Sequence, residues 1–236
     1  MTHTGPHIPV DHARWSFSGP VAQGFDIHIT QSVPLYQAAH DLILNFSDFF
    51  VQPQSLIYDL GCATGHLTQQ LARRHSAKSP QLIAIDSEPD MIQAALKNAP
   101  HSDPIHFQVA SLIEIDLQPC DLIIACYTLQ FIPARDRQKV FNRIYQALNW
   151  GGALILFEKV RAPDARFQDM ITTLYHDWKL HRGLLPQEIM AKTNSLKGIL
   201  DPFSTQGNLD LLNHAGFVDI CSVFKMLCFE GFLAIK

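Results

Sequence analysis

The sequence predicts an α/β domain built on a seven-stranded, largely parallel sheet with one reversed strand. Three observations carry that expectation. Leu56-Ile57-Tyr58-Asp59-Leu60-Gly61-Cys62-Ala63-Thr64-Gly65-His66 is an apolar run ending in an acid, then two glycines four apart, then a helical pattern. Short apolar runs and amphipathic segments alternate from there to about residue 160. Two apolar runs close the chain with no helix between them, which suits a hairpin, whereas parallel neighbours need a crossover. The expected strand order is 3-2-1-4-5-7-6, with a ligand crevice at the carboxyl ends beside the first strand.

Bulk properties narrow the function classes. The chain has 236 residues, 47% hydrophobic and 17% charged, enough for one full core with a small cap. Its formal net charge of −4 carries no basic excess, so no direct nucleic-acid binding is expected. Cys62, Cys120, Cys126, Cys221 and Cys228 are odd in number and lack close pairing. They predict neither a metal site nor a disulfide framework, and a reducing cytoplasm is expected. No apolar run approaches the ~20 residues of a membrane span, and the Pro/His-rich start has no signal-peptide core.

Residues 1–24, with Pro6, Pro9, Gly19, Pro20 and Gly24, read as an irregular arm. Residues 25–160 form the expected core. Ser32 is expected to cap a helix with Pro34 in its first turn, continuing to Phe50. After the glycine turn come a helix over 67–74, a strand over 81–86 and a helix from Pro89. Strands follow over 105–110 and 121–127, then a helix over 135–148. Asn149-Trp150-Gly151-Gly152 turns into a strand over 153–157. Residues 161–205 mix aromatic, charged and polar types without strand alternation, and read as a cap of two or three helices. Residues 206–236 return to the sheet through a helix over 206–214, stopped at Gly216, and strands over 218–224 and 228–235.

The candidate site follows from the first two strands. Gly61 and Gly65 lack the Cβ that would keep a ligand off the turn. Asp59, closing its strand, can reach a polar or cationic group. Asp86 ends the second strand, where a carboxylate can accept both hydroxyls of a ribose. The same residue also suits a helix N-terminus, with Glu88 and Asp90 nearby. Met91 can lie along an adenine or fill the core, and Tyr36 can face the ligand or pack with its hydroxyl wet.

The Asp59-x-Gly61-x-x-x-Gly65 pattern resembles the first motif of class I S-adenosylmethionine (SAM)-dependent methyltransferases. Further pieces resemble the carboxy-S-adenosyl-L-methionine synthases: Thr30-Gln31-Ser32-Val33-Pro34-Leu35-Tyr36, Tyr127-Thr128-Leu129-Gln130-Phe131, Phe157-Glu158-Lys159 and His176-Asp177-Trp178-Lys179. These enzymes make carboxy-SAM from SAM and prephenate for wobble-uridine modification in tRNA. The resemblance spans about residues 15–236. It implies a Rossmann-like fold, SAM as cofactor and a homodimer. Carried over, the family's ligand positions fall on Tyr36, Gly61, Cys62, Ala63, Asp86, Ser87, Ser111, Leu112 and Cys126.

Three departures stand out. The family has Asp where Ser111 stands and Asn where Cys126 stands. It has Arg after the cap-segment Lys, and here Lys192 is followed by Thr193. That Arg clasps the extra carboxylate of carboxy-SAM, a bidentate contact that Thr cannot reproduce. Lys192 and Lys197 offer point charges only. The expected function is therefore methyl transfer from SAM to a small-molecule acceptor, with S-adenosylhomocysteine as product. A divergent carboxy-SAM synthase and a non-catalytic SAM-binding module are the alternatives. No general base is identifiable; Tyr36, Tyr127, Tyr175, His176 and Asp177 are candidates on position.

Overall fold

The computed structural model describes residues 2–3, 9–10, 15–100 and 104–236. Its main sheet contains β3 (Leu56–Leu60), β4 (Gln81–Asp86), β5 (Ile105–Val109), β6 (Cys120–Cys126), β7 (Leu148–Lys159), β8 (Asp219–Met226) and β9 (Phe229–Ile235). The order is β5-β4-β3-β6-β7-β9-β8, which in main-sheet count is the expected 3-2-1-4-5-7-6. β9 is antiparallel to both its neighbours, and the remaining pairs are parallel. A separate two-stranded sheet pairs β1 (Thr2–His3) with β2 (Pro9–Val10).

Helices cover both faces, so the central strands are apolar on both sides. On one face α5 (Ala134–Ala147) and α8 (Thr205–Ala215) pack Phe141, Ile144 and Leu212 against Ile123 and Leu154. On the other, α2 (Tyr36–Phe50) and α3 (His66–Arg74) pack Ile43, Leu67 and Leu71 against Ile57 and Ile124. Each such fully buried side chain contributes about 1.5–3 kcal/mol relative to exposure. α4 (Pro89–Asn98) buries Met91, Ile92 and Ala95.

The front of the chain departs from the sequence expectation. α1 spans Pro20–Ser32, so a helix begins inside the stretch read as an irregular arm. Ser32 closes this helix and does not cap the next one. α2 starts at Tyr36 from Leu35 in the left-handed conformation (φ 56°), which leaves Pro34 outside it. The pattern of α1 is weak in the sequence because its buried face includes His28 and Ser32 beside Val21 and Ala22, and because Gly24 lowers helix propensity. Pro20 at its first turn was the available signal. Part of the arm, Pro6 included, lies outside the described residues.

β7 begins at Leu148, so Asn149-Trp150-Gly151-Gly152 is strand rather than a turn into one. Gly151 and Gly152 pair there with Lys236. The cap consists of two α-helices, α6 (Ala165–His181) and α7 (Pro186–Ser195). Among the described residues no helix is long and apolar enough to cross a membrane.

Candidate functional site

The carboxyl ends of β3, β4 and β6 open into one cavity of about 990 Å³, which α1, α6 and α7 cover. That volume is at the upper end for small-molecule sites, roughly 300–1,000 Å³, and leaves room for a nucleoside-sized ligand with a second small molecule. The sequence-predicted residues converge on it. Asp59, Gly61, Cys62 and Ala63 come from the first strand and its turn. Asp86, Ser87 and Met91 come from the β4–α4 junction, and Ser111 and Leu112 from the end of β5. Cys126 and Tyr127 end β6, Tyr36 opens α2, and Tyr175 and His176 descend from the cap. Gly65 is outside the lining.

Both glycines are required, though chiefly by protein neighbours. Gly61 has φ +77°, and a Cβ there would stand 2.2 Å from Thr128 Oγ1. The Gly61 and Cys62 N–H groups both donate to the Ile85 carbonyl (2.7 and 3.0 Å), which fastens the turn to β4. Gly65 has φ +75°, and its Cβ would meet the Phe107 ring at 2.9 Å. It therefore seats α3 against the sheet, where ligand access was the expected reason. Ala63 (φ 48°) and Tyr127 (φ 59°) also hold left-handed backbone at this site, where such strain commonly collects.

Asp86 is fixed by the backbone. Its Oδ2 accepts the Ala63 N–H at 2.9 Å and its Oδ1 accepts the Glu88 N–H at 2.9 Å. Each oxygen keeps a lone pair, the disposition a ribose diol needs. Ser111 Oγ accepts the Ile113 N–H at 3.3 Å. Asp59 is buried, accepts from Thr68 Oγ1 at 2.5 Å, and burial pushes its carboxyl up to about 6. Asp26, outside the lining, accepts from the cavity residue Thr64 Oγ1 at 2.6 Å.

The tyrosines are donors here rather than bases. Burial drives the phenols of Tyr36, Tyr127 and Tyr175 far above the ordinary range, so all three stay protonated. Tyr175 donates to the Ser32 carbonyl at 2.5 Å, and the Tyr127 hydroxyl has no partner among the described residues. Burial and the neighbouring Lys179 and Lys159 hold the His176 imidazole below its usual value. Asp177 does not line the cavity.

His40 and His28, not singled out from sequence, complete the site together with lysines named there only within motifs or as point charges. His40 is 2% exposed and packs its ring 4.3 Å from that of Tyr36. Burial lowers its pKa to about 4, so it is neutral near pH 7. Its position four residues after Tyr36, on the same helix face, was the usable signal. Lys159 at the end of β7, Lys179 on α6 and Lys192 on α7 bring three amines to the cavity lining. Lys192 Nζ donates to Ser32 Oγ at 2.8 Å and to His28 Nε2. His28, held near pKa 3 by burial and then by Lys192, is a neutral acceptor. Thr193 lines the cavity, but its hydroxyl donates to Ile189 O within α7 at 2.8 Å.

A methyltransferase-domain family model matches residues 57–152. Carboxy-S-adenosyl-L-methionine synthase from Staphylococcus epidermidis is 34% identical over 94% of this chain and 97% of its own length. The same-named protein of Campylobacter jejuni is 36% identical over 94% of each chain. Among solved structures, human N-acetylserotonin methyltransferase in complex with SAM aligns with TM-score 0.63, 19% identity, 93% of this chain and 56% of its own. The SAM-dependent methyltransferase SibL aligns with TM-score 0.65 and 15% identity over 98% of this chain and 63% of its own. The structural likenesses show the class I, Rossmann-like methyltransferase fold. Near-complete coverage by the curated relatives shows more: the chain belongs to the carboxy-S-adenosyl-L-methionine synthase family.

Proposed function

We propose that this protein is a SAM-using enzyme that brings SAM together with a small anionic co-substrate and forms carboxy-SAM. One observation carries the reading: a single cavity is lined by the carboxylates of Asp59 and Asp86 and also by Lys159, Lys179 and Lys192. SAM carries a ribose diol, an ammonium and a sulfonium, which suit the acids. Its own carboxylate and that of a co-substrate suit the lysines. These lysines offer amines where Thr193 offers only a hydroxyl.

When bound, the sulfonium of SAM supplies an activated methyl carbon. The chain's own residues bind, orient and exclude water. Asp86 accepts from the ribose, Ser111 and Leu112 meet the adenine, and the protonated phenols of Tyr36 and Tyr127 donate near the reacting end. The cap helices close the site from solvent, which strengthens each electrostatic contact inside.

A second reading, methyl transfer to an anionic acceptor, is favoured by Thr193, where no guanidinium fork stands. The test is incubation with SAM and prephenate, or with SAM and a panel of carboxylate metabolites, read by mass spectrometry. Carboxy-SAM supports the first reading. S-adenosylhomocysteine with a methylated acceptor supports the second. Tight SAM binding without either product points to a binding module. We also propose a homodimer paired through the cap, where Phe167, Met170 and Leu174 lie exposed on successive turns of α6. Light scattering that finds a monomer at high concentration excludes it.

A further inference from the structure

We infer that residues 15–32 form a strap that lifts to let the nucleoside ligand in and out, and that the hydrogen bond from Thr64 to Asp26 is its latch. This rests on the reading of a SAM-using enzyme and adds how its site opens. Phe25, His28, Ile29 and Ser32 of α1 line the cavity from the covering side. Trp15, Val21 and Ala22 join Met91 in one small buried cluster, with Ala63 packed against it. Met91 and Ala63 are both expected ligand positions, so the strap lies directly over them.

The strap begins and ends on one helix. The Trp15 N–H donates to the Ser195 carbonyl at 3.3 Å, and Lys192 Nζ donates to Ser32 Oγ at 2.8 Å. Lys192 and Ser195 stand three apart in α7, on one face of it. Tyr175 of α6 adds a bond to the Ser32 carbonyl at 2.5 Å. Both ends are therefore held by the cap.

The middle is held by the opposite wall. Thr64 Oγ1, in the turn after β3, donates to Asp26 Oδ1 at 2.6 Å. Asp90 Oδ2, in the first turn of α4, accepts the Gly19 N–H at 2.6 Å. Thr64 follows Ala63, whose backbone is left-handed (φ 48°), so the latch closes on the turn that meets the ligand.

α1 itself is weakly built. Its N-cap is Gly19, with no side-chain cap and no acid in the first turn. Gly24 lies in its interior, and Ile27 is 66% exposed. A segment with so few buried apolar groups opens locally while the sheet stays folded.

The experiment is stopped-flow association and dissociation of SAM with the full chain, read by tryptophan fluorescence, in wild type and Asp26→Ala. Asp26 is exposed, so its truncation should leave the fold intact. Both rate constants should rise by about three- to tenfold, the worth of one hydrogen bond, because a closed strap blocks entry as well as exit. The dissociation constant should move less than either. Thr64→Val should act alike and add little to Asp26→Ala, since the two share one bond. If Thr64→Val fails to fold, Asp26→Ala decides alone. Hydrogen exchange reads the strap without SAM: amides of residues 20–32 should exchange faster than those of α3, and Asp26→Ala should speed them further. Unchanged rate constants, a rise in dissociation alone, or α1 exchange indifferent to Asp26→Ala overturns the inference. SAM that fails to bind, while α1 exchange still responds to Asp26→Ala, sinks the SAM reading and leaves the latch standing.

Discussion

Asp86 holds the backbone of Ala63: its Oδ2 accepts the Ala63 N–H at 2.9 Å, across the gap between β4 and the turn that follows β3. The same carboxylate is the candidate ribose acceptor, so one side chain shapes the turn and meets the ligand. Asp86→Ala should weaken SAM binding by about 10- to 150-fold, the roughly 1.5–3 kcal/mol of hydrogen bonds to a charged group. Asp86→Asn should weaken it too, because its amide must turn a donor toward one of two backbone N–H groups. Calorimetry on folded protein decides, and undiminished affinity in Asp86→Ala removes the residue from the site.

That double role explains what could be read from sequence. Asp59, Gly61 and Asp86 fall at strand ends, and strand ends are visible as the limits of apolar runs. The sheet order followed from alternation and the closing hairpin. What was missed depends on contacts between distant segments. The lysine cluster joins β7, α6 and α7, and no spacing rule brings residues 159, 179 and 192 together. α1 was hidden because two of its buried positions are polar, His28 and Ser32, and both are buried against Lys192. Gly61 was legible as a glycine, but its neighbour Thr128 lies on another strand end.

Gly61→Ala tests that neighbour. The added Cβ would sit 2.2 Å from Thr128 Oγ1 at a φ of +77°, so clash and backbone strain combine. The expected cost is about 1–3 kcal/mol in denaturant unfolding. Thr128→Gly in the same chain should recover part of it, since contacting residues couple. Strict additivity of the two substitutions would show that Thr128 is not what Gly61 makes room for.

Glu158 predicts a pH dependence of stability. It is 3% exposed, and burial pushes its carboxyl up to about 8, with Oε1 unpartnered. Its folded pKa lies above the unfolded value, so its contribution is fully present below the unfolded pKa. That contribution is lost as pH rises through about 8. Glu158→Gln mimics the protonated form and should remove the loss. The stability of Glu158→Gln relative to wild type should grow between pH 5 and 8, by up to about 1.4 kcal/mol per pH unit. A difference flat across that window would show that Glu158 is ionised in the folded protein.

Thr193→Arg separates the two enzyme readings. Carboxy-SAM differs from SAM by one carboxylate on the transferring carbon, and a buried carboxylate needs a matched cation. Thr193 faces the cavity with a hydroxyl committed to Ile189 O, so it contributes no charge. If the lysines supply the charge, the wild type should prefer carboxy-SAM to SAM, and Lys192→Met should lose that preference. If the protein is a methyltransferase, the wild type should bind SAM at least as well. In either case Thr193→Arg adds a guanidinium beside Lys192, raising the demand for an anion. The ratio of the two dissociation constants should move toward carboxy-SAM by about 10- to 150-fold, matching roughly 1.5–3 kcal/mol for a charge-assisted pair. No movement in a folded variant would mean that position 193 does not face the transferring carbon. The carboxylate, if one is bound, would then be held by the lysines alone.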